Sequence, residues 1–413
     1  MTVTPFTHLL KQVGLALLVM LGLQGCQSSD EGDKQSLADQ SWDQLLETAK
    51  GQEVTMMMWQ GDPLINRYMS DYAVPLLDSV HNIKLSIVSG QGNDIVNLLM
   101  SELEASKQSS EIDMMWINGE TYYQLRQIKG LFGPFTDQLP NSPLINWDNP
   151  FIGTDFQQPV EGYECPWGNV QMTTIYRSDK IPTPPRDLVA LEAWVKLNPG
   201  KFTIGYDFTG MTLLKSWLID FAGGQAAIDG DFDEATYQRA SSQLWAYLNR
   251  IKPYLWNQGE SFPSSVAQMH QLFANGELWF TMSNNDSEVD NKILQGVFPE
   301  SARAYVPETG TIQNSHYLGI AQLSDRKEAA MVIINTLISP AAQFHKMQPA
   351  IWGDGTVLSI AKLDSTWQQK FQAIPGRRFA PDRADIQSRA LAEPAPTYMI
   401  RLFADFKKEI IES

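Results

Sequence analysis

Cysteine is nearly absent from this chain: only two of its 413 residues are cysteine, and only five are histidine. No Cys-x-x-Cys, His-Glu-x-x-His, Gly-x-Ser-x-Gly or Walker loop occurs. The usual signatures of structural zinc, zinc peptidases, serine hydrolases and nucleotide-driven chemistry are therefore missing, and no cofactor is expected. Positive charge is also scarce, with 31 Lys and Arg against 47 Asp and Glu and a net charge of −16. Such a surface repels nucleic acid and attracts cations. It excludes a nucleic-acid partner and favours a cationic or neutral small molecule over an anionic one, although a plain solvated acidic face would look the same. Beyond the N-terminus no apolar run approaches the roughly 20 residues that span a bilayer. The best of them, residues 331–338, is interrupted by Asn335 and stopped by Ser339-Pro340.

The N-terminus is different. Residues 1–11 carry one Lys and no acid, residues 13–23 are uninterruptedly apolar, and Leu23-Gln24-Gly25-Cys26 follows. A basic start, a short apolar core and small residues before a cut describe a secretory signal. The Gly-Cys pair resembles the processing site of bacterial lipoproteins. That resemblance implies a signal peptide over residues 1–25, lipid on Cys26 and a periplasmic chain anchored to a cell-envelope membrane. An ordinary cleaved signal with a chance cysteine is the competing reading. Residues 26–44 are polar and read as a flexible tether. With Cys26 lipidated, Cys165 has no disulfide partner, and a buried small side chain is its plainest role.

Residues 53–59, 83–89 and 112–117 are short apolar runs. Each ends in turn residues and is followed by a helical pattern, over 63–80, 94–107 (capped by Asn93) and 120–129. Strand-helix units in series predict a parallel α/β sheet, whose ligands sit outside the carboxyl ends of the strands. The turns at 59–62, 90–93 and 116–120 would share that rim. Residues 161–177 read as two extended segments around Pro166-Trp167-Gly168. Residues 201–208 read as a strand leading into a helix over 211–221. Helices are expected at 233–250, 264–275 and 325–338, a strand at 277–283, extended segments at 302–307 and 316–321, and mostly helix thereafter.

The segments EVTMMMWQGD (53–62), IDMMWINGETYYQLRQIKGLFGPF (112–135), YECPWGNVQMTTIYRSDKIP (163–182) and NSHYLGIAQLSDRKEAAMVIINTLISPAAQ (314–343), taken in order, resemble bacterial ABC-transporter solute-binding proteins of the two-lobed type II (Venus-flytrap) kind. WINGE followed by GPF is the most specific element, and the neighbourhood is that of thiamine, ferric-iron and polyamine binders. The resemblance implies two lobes, each a mostly parallel sheet flanked by helices, joined by two hinge crossings near 162–167 and near Asn284 or 305–316. Lobe 1 would span 45–163 and 284–413, with the C-terminal helices packed on it, and lobe 2 would span 164–283. The chain would catalyse nothing, capture a small molecule and pass it to an ABC permease in the inner membrane. A secreted lipoprotein enzyme acting on carbohydrate and a ligand-presenting sensor are the alternatives. Spacing alone leaves open a glycosidase-like carboxylate pair.

Candidate ligand residues follow from the rim. Trp59, Trp116 and Trp167 could stack on a flat or cationic ligand, or simply pack in the core. Gln60, Asp62, Asn118 and Glu120 are polar residues beside two of them, equally suited to turns and caps. Asp207 could meet a cation, while Thr209 and Gly210 open a helix whose free N–H groups could hold an anion. Asn284, Asn285 and Asp286 follow a strand, and Tyr317 and Trp352 are further aromatics in late segments. An aromatic cation of the thiamine type is the ligand these residues suit best. Iron suits them less, since Tyr122-Tyr123 is the one adjacent tyrosine pair and lies on an expected helix.

Overall fold

The computed structural model describes residues 37–412, so the Cys26 site lies outside the described residues. Residues 37–39 form one 3-10 turn, and the compact unit begins at Gln40. Helix α1 (Trp42–Ala49) opens it. Ser41 Oγ accepts from the Gln44 N–H while the Gln44 side chain accepts from the Ser41 N–H, a reciprocal cap. The tether expected to reach residue 44 therefore stops short of it, because Leu45 and Ala49 lie on one helical face and are buried.

Strand β1 (Glu53–Met58) leads into α2 (Pro63–Arg67), a π turn (Tyr68–Ala73) and α3 (Val74–His81), which together make the helix expected there. Then come β2 (Lys84–Ser89), α4 (Gly92–Glu104), β3 (Met114–Ile117) and α5 (Gly119–Gln127). β1 pairs in parallel with both β2 and β3, as buried runs joined by helical crossovers require. The cap of α4 is Gln91 rather than Asn93; the Asp94 carboxylate accepts from the Gln91 N–H and pulls the start forward. β4 (Thr154–Asp155) and β5 (Gln158–Pro159) form a short ladder before β6 (Glu164–Gln171) and β7 (Thr173–Arg177). β6 runs straight through Pro166-Trp167-Gly168, and the break expected there falls at Met172 instead.

The chain continues through α6 (Leu188–Leu197), α7 (Phe208–Ala222), α8 (Glu234–Ile251), α9 (Val266–Ala274), β8 (Phe280–Ser283), α10 (Glu288–Leu294), β9 (Ala302–Tyr305) and β10 (Thr311–Ile320). It ends with α11 (Lys327–Leu337), α12 (Pro340–Met347), α13 (Ser365–Gln372), α14 (Arg383–Gln387), β11 (Ala390–Leu391) and α15 (Pro396–Phe406). The larger sheet is six-stranded, in the order β11-β10-β3-β1-β2 with β6 also on β10. β10 runs antiparallel to β3 and β6. The smaller sheet, β8-β7-β9, is antiparallel throughout, which corrects the expectation of a second mostly parallel sheet. Residues 201–208 join no sheet. Lys201 accepts from the Trp279 N–H, Phe202 accepts from the Trp256 N–H and Tyr206 donates to Pro263, single bonds to separate segments that build no ladder.

The chain passes between the sheets at Met172 and again over residues 306–310. The return to the first sheet is partial. Val289, Phe298 and Ala380 pack with Ile175 and Ala302 of the smaller sheet. Tyr398, Met399, Leu402 and Phe406 of α15 join Leu214, Tyr237 and Leu244 in the core of α7 and α8. The expectation that all of 284–413, C-terminal helices included, belongs with the first sheet is thus corrected. The apolar face of α15 finds its partner on the second. Tyr237 Oη donates to Asp405 at 2.7 Å and Asp233 N–H donates to Tyr398 Oη at 3.1 Å, fixing the contact. Leu402 is fully buried there. Leu402→Ala is expected to cost about 2–5 kcal/mol, read as a lowered urea midpoint.

Candidate functional site

Because β1 and β3 are parallel neighbours, the residues after them emerge on one rim. After β1, Trp59 is half-buried and Gln60 exposed. Asp62 is 9% exposed and fully engaged. Its Oδ1 accepts from the N–H groups of Leu64 and Ile65 to cap α2, and its Oδ2 meets the Lys292 ammonium at 2.8 Å. Lys292 also lies 3.2 Å from Glu288, and His270 Nδ1 lies 3.5 Å from the same Glu288 carboxylate. Burial, reinforced by the Asp62 charge, pushes Glu288 up to about 7, and burial, with Lys292 nearby, pushes His270 down to about 4. Since α10 is rooted in the core of the smaller sheet through Val289, this network ties one sheet's rim to the other's helix.

The second group is aromatic. Trp116, half-buried on β3, lies 5.2 Å edge-on from Trp167, 4.8 Å from His316 and 5.8 Å from Trp352. Trp167 is fully buried. Pro166 pairs with Tyr317 and Gly168 with His316, so Trp167 is the extra residue of a bulge. Beside it His316 Nε2 lies 3.0 Å from Asp354 Oδ2, and the buried Lys346 ammonium donates to the same carboxylate and to the Trp167 carbonyl. Only glycine fits at 168, since a Cβ there would stand 1.9 Å from His316 Nε2 and 2.1 Å from Asp354 Oδ2. Asn291 on α10 donates to the Trp352 carbonyl at 2.6 Å, and Arg383 donates to that of Gly353 at 2.7 Å.

The third group surrounds the start of α5. Gly119, at φ 56°, donates its N–H to buried Asp155 at 2.5 Å. Glu120 Oε2 is buried with no hydrogen-bond partner among the described residues. Burial holds the Glu120 carboxyl above its usual range, against the pull of Lys215. Lys215, fully buried on α7, pairs with Glu393 at 2.5 Å, and its ammonium lies 4.2 Å from the Phe156 ring and 5.1 Å from that of Phe208. Asn314 donates to the other Glu393 oxygen at 2.9 Å. On α7 the N-cap Asp207 accepts the Gly210 N–H at 2.9 Å. Gly210 also packs so closely on the Gly205 carbonyl that a Cβ would come within 1.8 Å of it. The free N–H groups proposed at Thr209 and Gly210 for an anion are therefore answered by the chain's own carboxylate. Thr209 accepts from Asn284 Nδ2 at 3.3 Å, while Asn284 Oδ1 is buried without a partner among the described residues.

Several sequence candidates thus have structural work of their own. Tyr317 is fully buried with its hydroxyl given to the carbonyls of Ile152 and Thr154. Asp286 is clamped by Arg383 at 2.7 and 3.0 Å and by Arg377 at 3.1 Å. Asn285 caps locally, accepting from the Ser287 N–H. Asp62, Thr209 and Gly210 are engaged as described, while Trp167 is buried with its indole N–H unpartnered among the described residues. Trp59, Gln60, Trp116, Asn118, Glu120, Asp207 and Asn284 keep partial exposure. Tyr122 gives its hydroxyl to the carbonyls of Pro159 and Val160, and no cluster of three or more metal-ligating His, Cys, Asp or Glu exists among the described residues. Lys215, Glu393, Lys292, Glu288, Lys346 and Asp354 escaped the sequence reading, because each pairs with a residue remote in sequence or sits in an otherwise ordinary helix.

Two sheets, a paired crossing and a rim of aromatic and acidic groups define a class. Residues 77–373 match the family of bacterial extracellular solute-binding proteins, and the chain belongs to that family. Protein YnjB of Escherichia coli (strain K12) is 35% identical over 336 residues, covering 80% of this chain and 86% of YnjB. Among solved structures, the Tp0655 (TpPotD) lipoprotein of Treponema pallidum superposes with a TM-score of 0.64 at 12% identity, covering 87% of this chain and 100% of that one. AfuA of Actinobacillus pleuropneumoniae, solved with fructose-6-phosphate bound, gives 0.61 at 12% identity over 88% and 99% of the two chains. At such identities the likeness speaks for the fold, which is the two-lobed type II periplasmic-binding-protein architecture.

Lys292 sits between two carboxylates with 8% of its side chain exposed. Lys292→Met would leave both uncompensated, and a loss of about 3–5 kcal/mol is expected in chemical denaturation.

Proposed function

We propose that this chain is the solute-binding component of an ABC import system. It captures a small cation, a thiamine-like aromatic cation fitting best, between its lobes and hands it to a membrane permease. The observation that carries this reading is Glu120, a buried carboxyl with an unpartnered oxygen, on the same rim as the half-buried Trp116 ring. An orphan acceptor and an aromatic ring on one rim suit an N–H donor or a cation. Asn284 offers a second orphan acceptor from the other side. Asp207 occupies the helix end that would have welcomed a carboxylate or phosphate. Trp59, Gln60 and Asn118 would complete the contact set.

On this reading the first lobe comprises residues 45–171 and 311–372, the second comprises residues 173–305, 376–389 and 396–406, β11 returns to the first lobe's sheet, and the β6–β10 pair is the hinge. Ligand drives closure only through contacts it makes better in the closed state. A chain processed at Cys26 would carry out this work in the periplasm on a lipid anchor, without catalysing a reaction. The fold does not choose the ligand. Its structural neighbours include a spermidine/putrescine ABC transporter substrate-binding protein of Streptococcus pneumoniae as well as the sugar-phosphate-bound AfuA.

A thermal-shift series with thiamine, spermidine, fructose-6-phosphate and ferric iron tests the proposal. Thiamine at about 100 times its Kd should add about 2.7 kcal/mol of stability, and Trp116→Ala should weaken its binding by about tenfold, the worth of one good aromatic contact. A shift with fructose-6-phosphate alone would sink the cation reading.

A further inference from the structure

We propose that Glu120 holds a proton in the unliganded cleft and exchanges it for the cationic group of the solute, so that capture releases a proton. The inference rests on the cation reading above and adds how that site is regulated.

The surroundings of Glu120 supply the argument. Two charged groups from separate segments act on it, Lys215 from α7 and Glu393 from the stretch before α15, and Glu120 in turn acts on Asp155 of β4. Lys215 is not free to neutralise Glu120. Its ammonium is committed to Glu393 at 2.5 Å and lies between the Phe156 and Phe208 rings. Asp155, which feels the Glu120 charge, spends one oxygen on the Gly119 N–H and is buried, so it supplies no cation to Glu120. Behind Asp155 lies Glu164, fully buried with both carboxyl oxygens unpartnered among the described residues. Arg126, which acts on Glu164, is paired with the Glu161 carboxylate at 3.0 Å. Four carboxyls therefore share one buried ammonium. Burial raises all four above the usual carboxylate range: Asp155 and Glu164 markedly, and Glu120 and Glu393 in spite of Lys215.

Glu120 differs from the other three in position. It follows the rim residues of β3 and retains partial exposure, whereas Asp155, Glu164 and Glu393 are sealed. Of the four it is the one that keeps any exposed surface, at the end of β3 that carries the rim. The step balances simply: a neutral Glu120 carboxyl and a cation become a carboxylate–cation pair, and the proton leaves to solvent. A neutral solute would not displace the proton.

The test is titration calorimetry of the whole chain with thiamine in two buffers of unlike ionisation enthalpy. Release approaching one proton per thiamine is expected, with affinity falling by up to about tenfold per pH unit below the Glu120 transition. Glu120→Gln should bind thiamine more weakly, with neither proton release nor that pH dependence. Buffer-independent heats with intact thiamine binding would overturn the exchange while leaving the cation reading standing. If thiamine fails to bind, the ligand assignment falls, and melting without ligand decides whether Glu120 holds the proton. A carboxyl raised in the folded state contributes stability that is present below its unfolded range and lost as pH rises through its folded value. The melting temperature of Glu120→Gln relative to the parent should therefore climb as pH rises from the unfolded glutamate range through the folded Glu120 transition. Parallel curves for the two proteins would overturn the proposal.

Discussion

β6 and β10 lie antiparallel from Glu164 opposite Gly319 to Gln171 opposite Gln313, and both passages of the chain between its sheets leave from that ribbon. A pair of strands bonded to one another bends as a unit. A two-lobed protein needs that property if closing is to be a single motion. The bulge at Trp167 lies within the ribbon, turning an indole into the core and leaving Gly168 as the close approach for His316 and Asp354. The aromatic group around Trp116 is thus built mainly on the β6–β10 ribbon and on the strand next to it, with Trp352 supplied from the turn after α12.

Three ammonium groups are buried in or beside this region, and each bridges segments distant in sequence. Lys346 of α12 reaches Asp354 and the carbonyl of Trp167, Lys215 of α7 reaches Glu393, and Lys292 of α10 reaches Asp62. Desolvating such charges is costly, and pairing them offsets that cost with little surplus. What the pairs add is geometric: a buried charge tolerates few partners, so each lysine specifies which segments meet. Asp62–Lys292 and the Asn291 bond to the Trp352 carbonyl both join α10 to the rim of the larger sheet. They are contacts that exist with the lobes together and would be exchanged for water when they part.

Much of the first sheet was legible in the sequence. Its strands are short apolar runs ending in turn residues, and its helices have apolar spacing, both set by neighbours within a few positions. The second lobe was misread where local pattern and pairing part company. KFTIGYDF looks like a strand, but its backbone bonds go singly to Trp279, Trp256 and Pro263. The amphipathic stripe of α15 marked it as a packed helix without naming its partner, which is α7 and α8. For the site, Trp116 and Glu120 were found because they follow a recognisable strand. Lys215 and Glu393, 178 positions apart, leave no local signal. Asp62, Asp286 and Tyr317 looked equally promising in sequence and proved to be a cap, a clamp and a core hydroxyl, since a side chain's free valences are fixed by its neighbours in space.

The distribution of unsatisfied atoms gives the cleft its polarity. At the start of α7 the helix could have presented bare N–H groups, yet Asp207 closes them. Elsewhere Glu120 Oε2 and Asn284 Oδ1 are buried acceptors without donors among the described residues. On the proposed cation reading, an anion would gain nothing from the ionised Glu120 carboxylate or the Asn284 amide oxygen. A cation or an N–H group would meet acceptors already stripped of water. Selectivity of this kind comes as much from what the wrong solute is denied as from what the right one gains. It requires the acceptors to remain unpaired until the solute arrives, and a carboxyl can be kept in that state at low cost only by carrying its own proton.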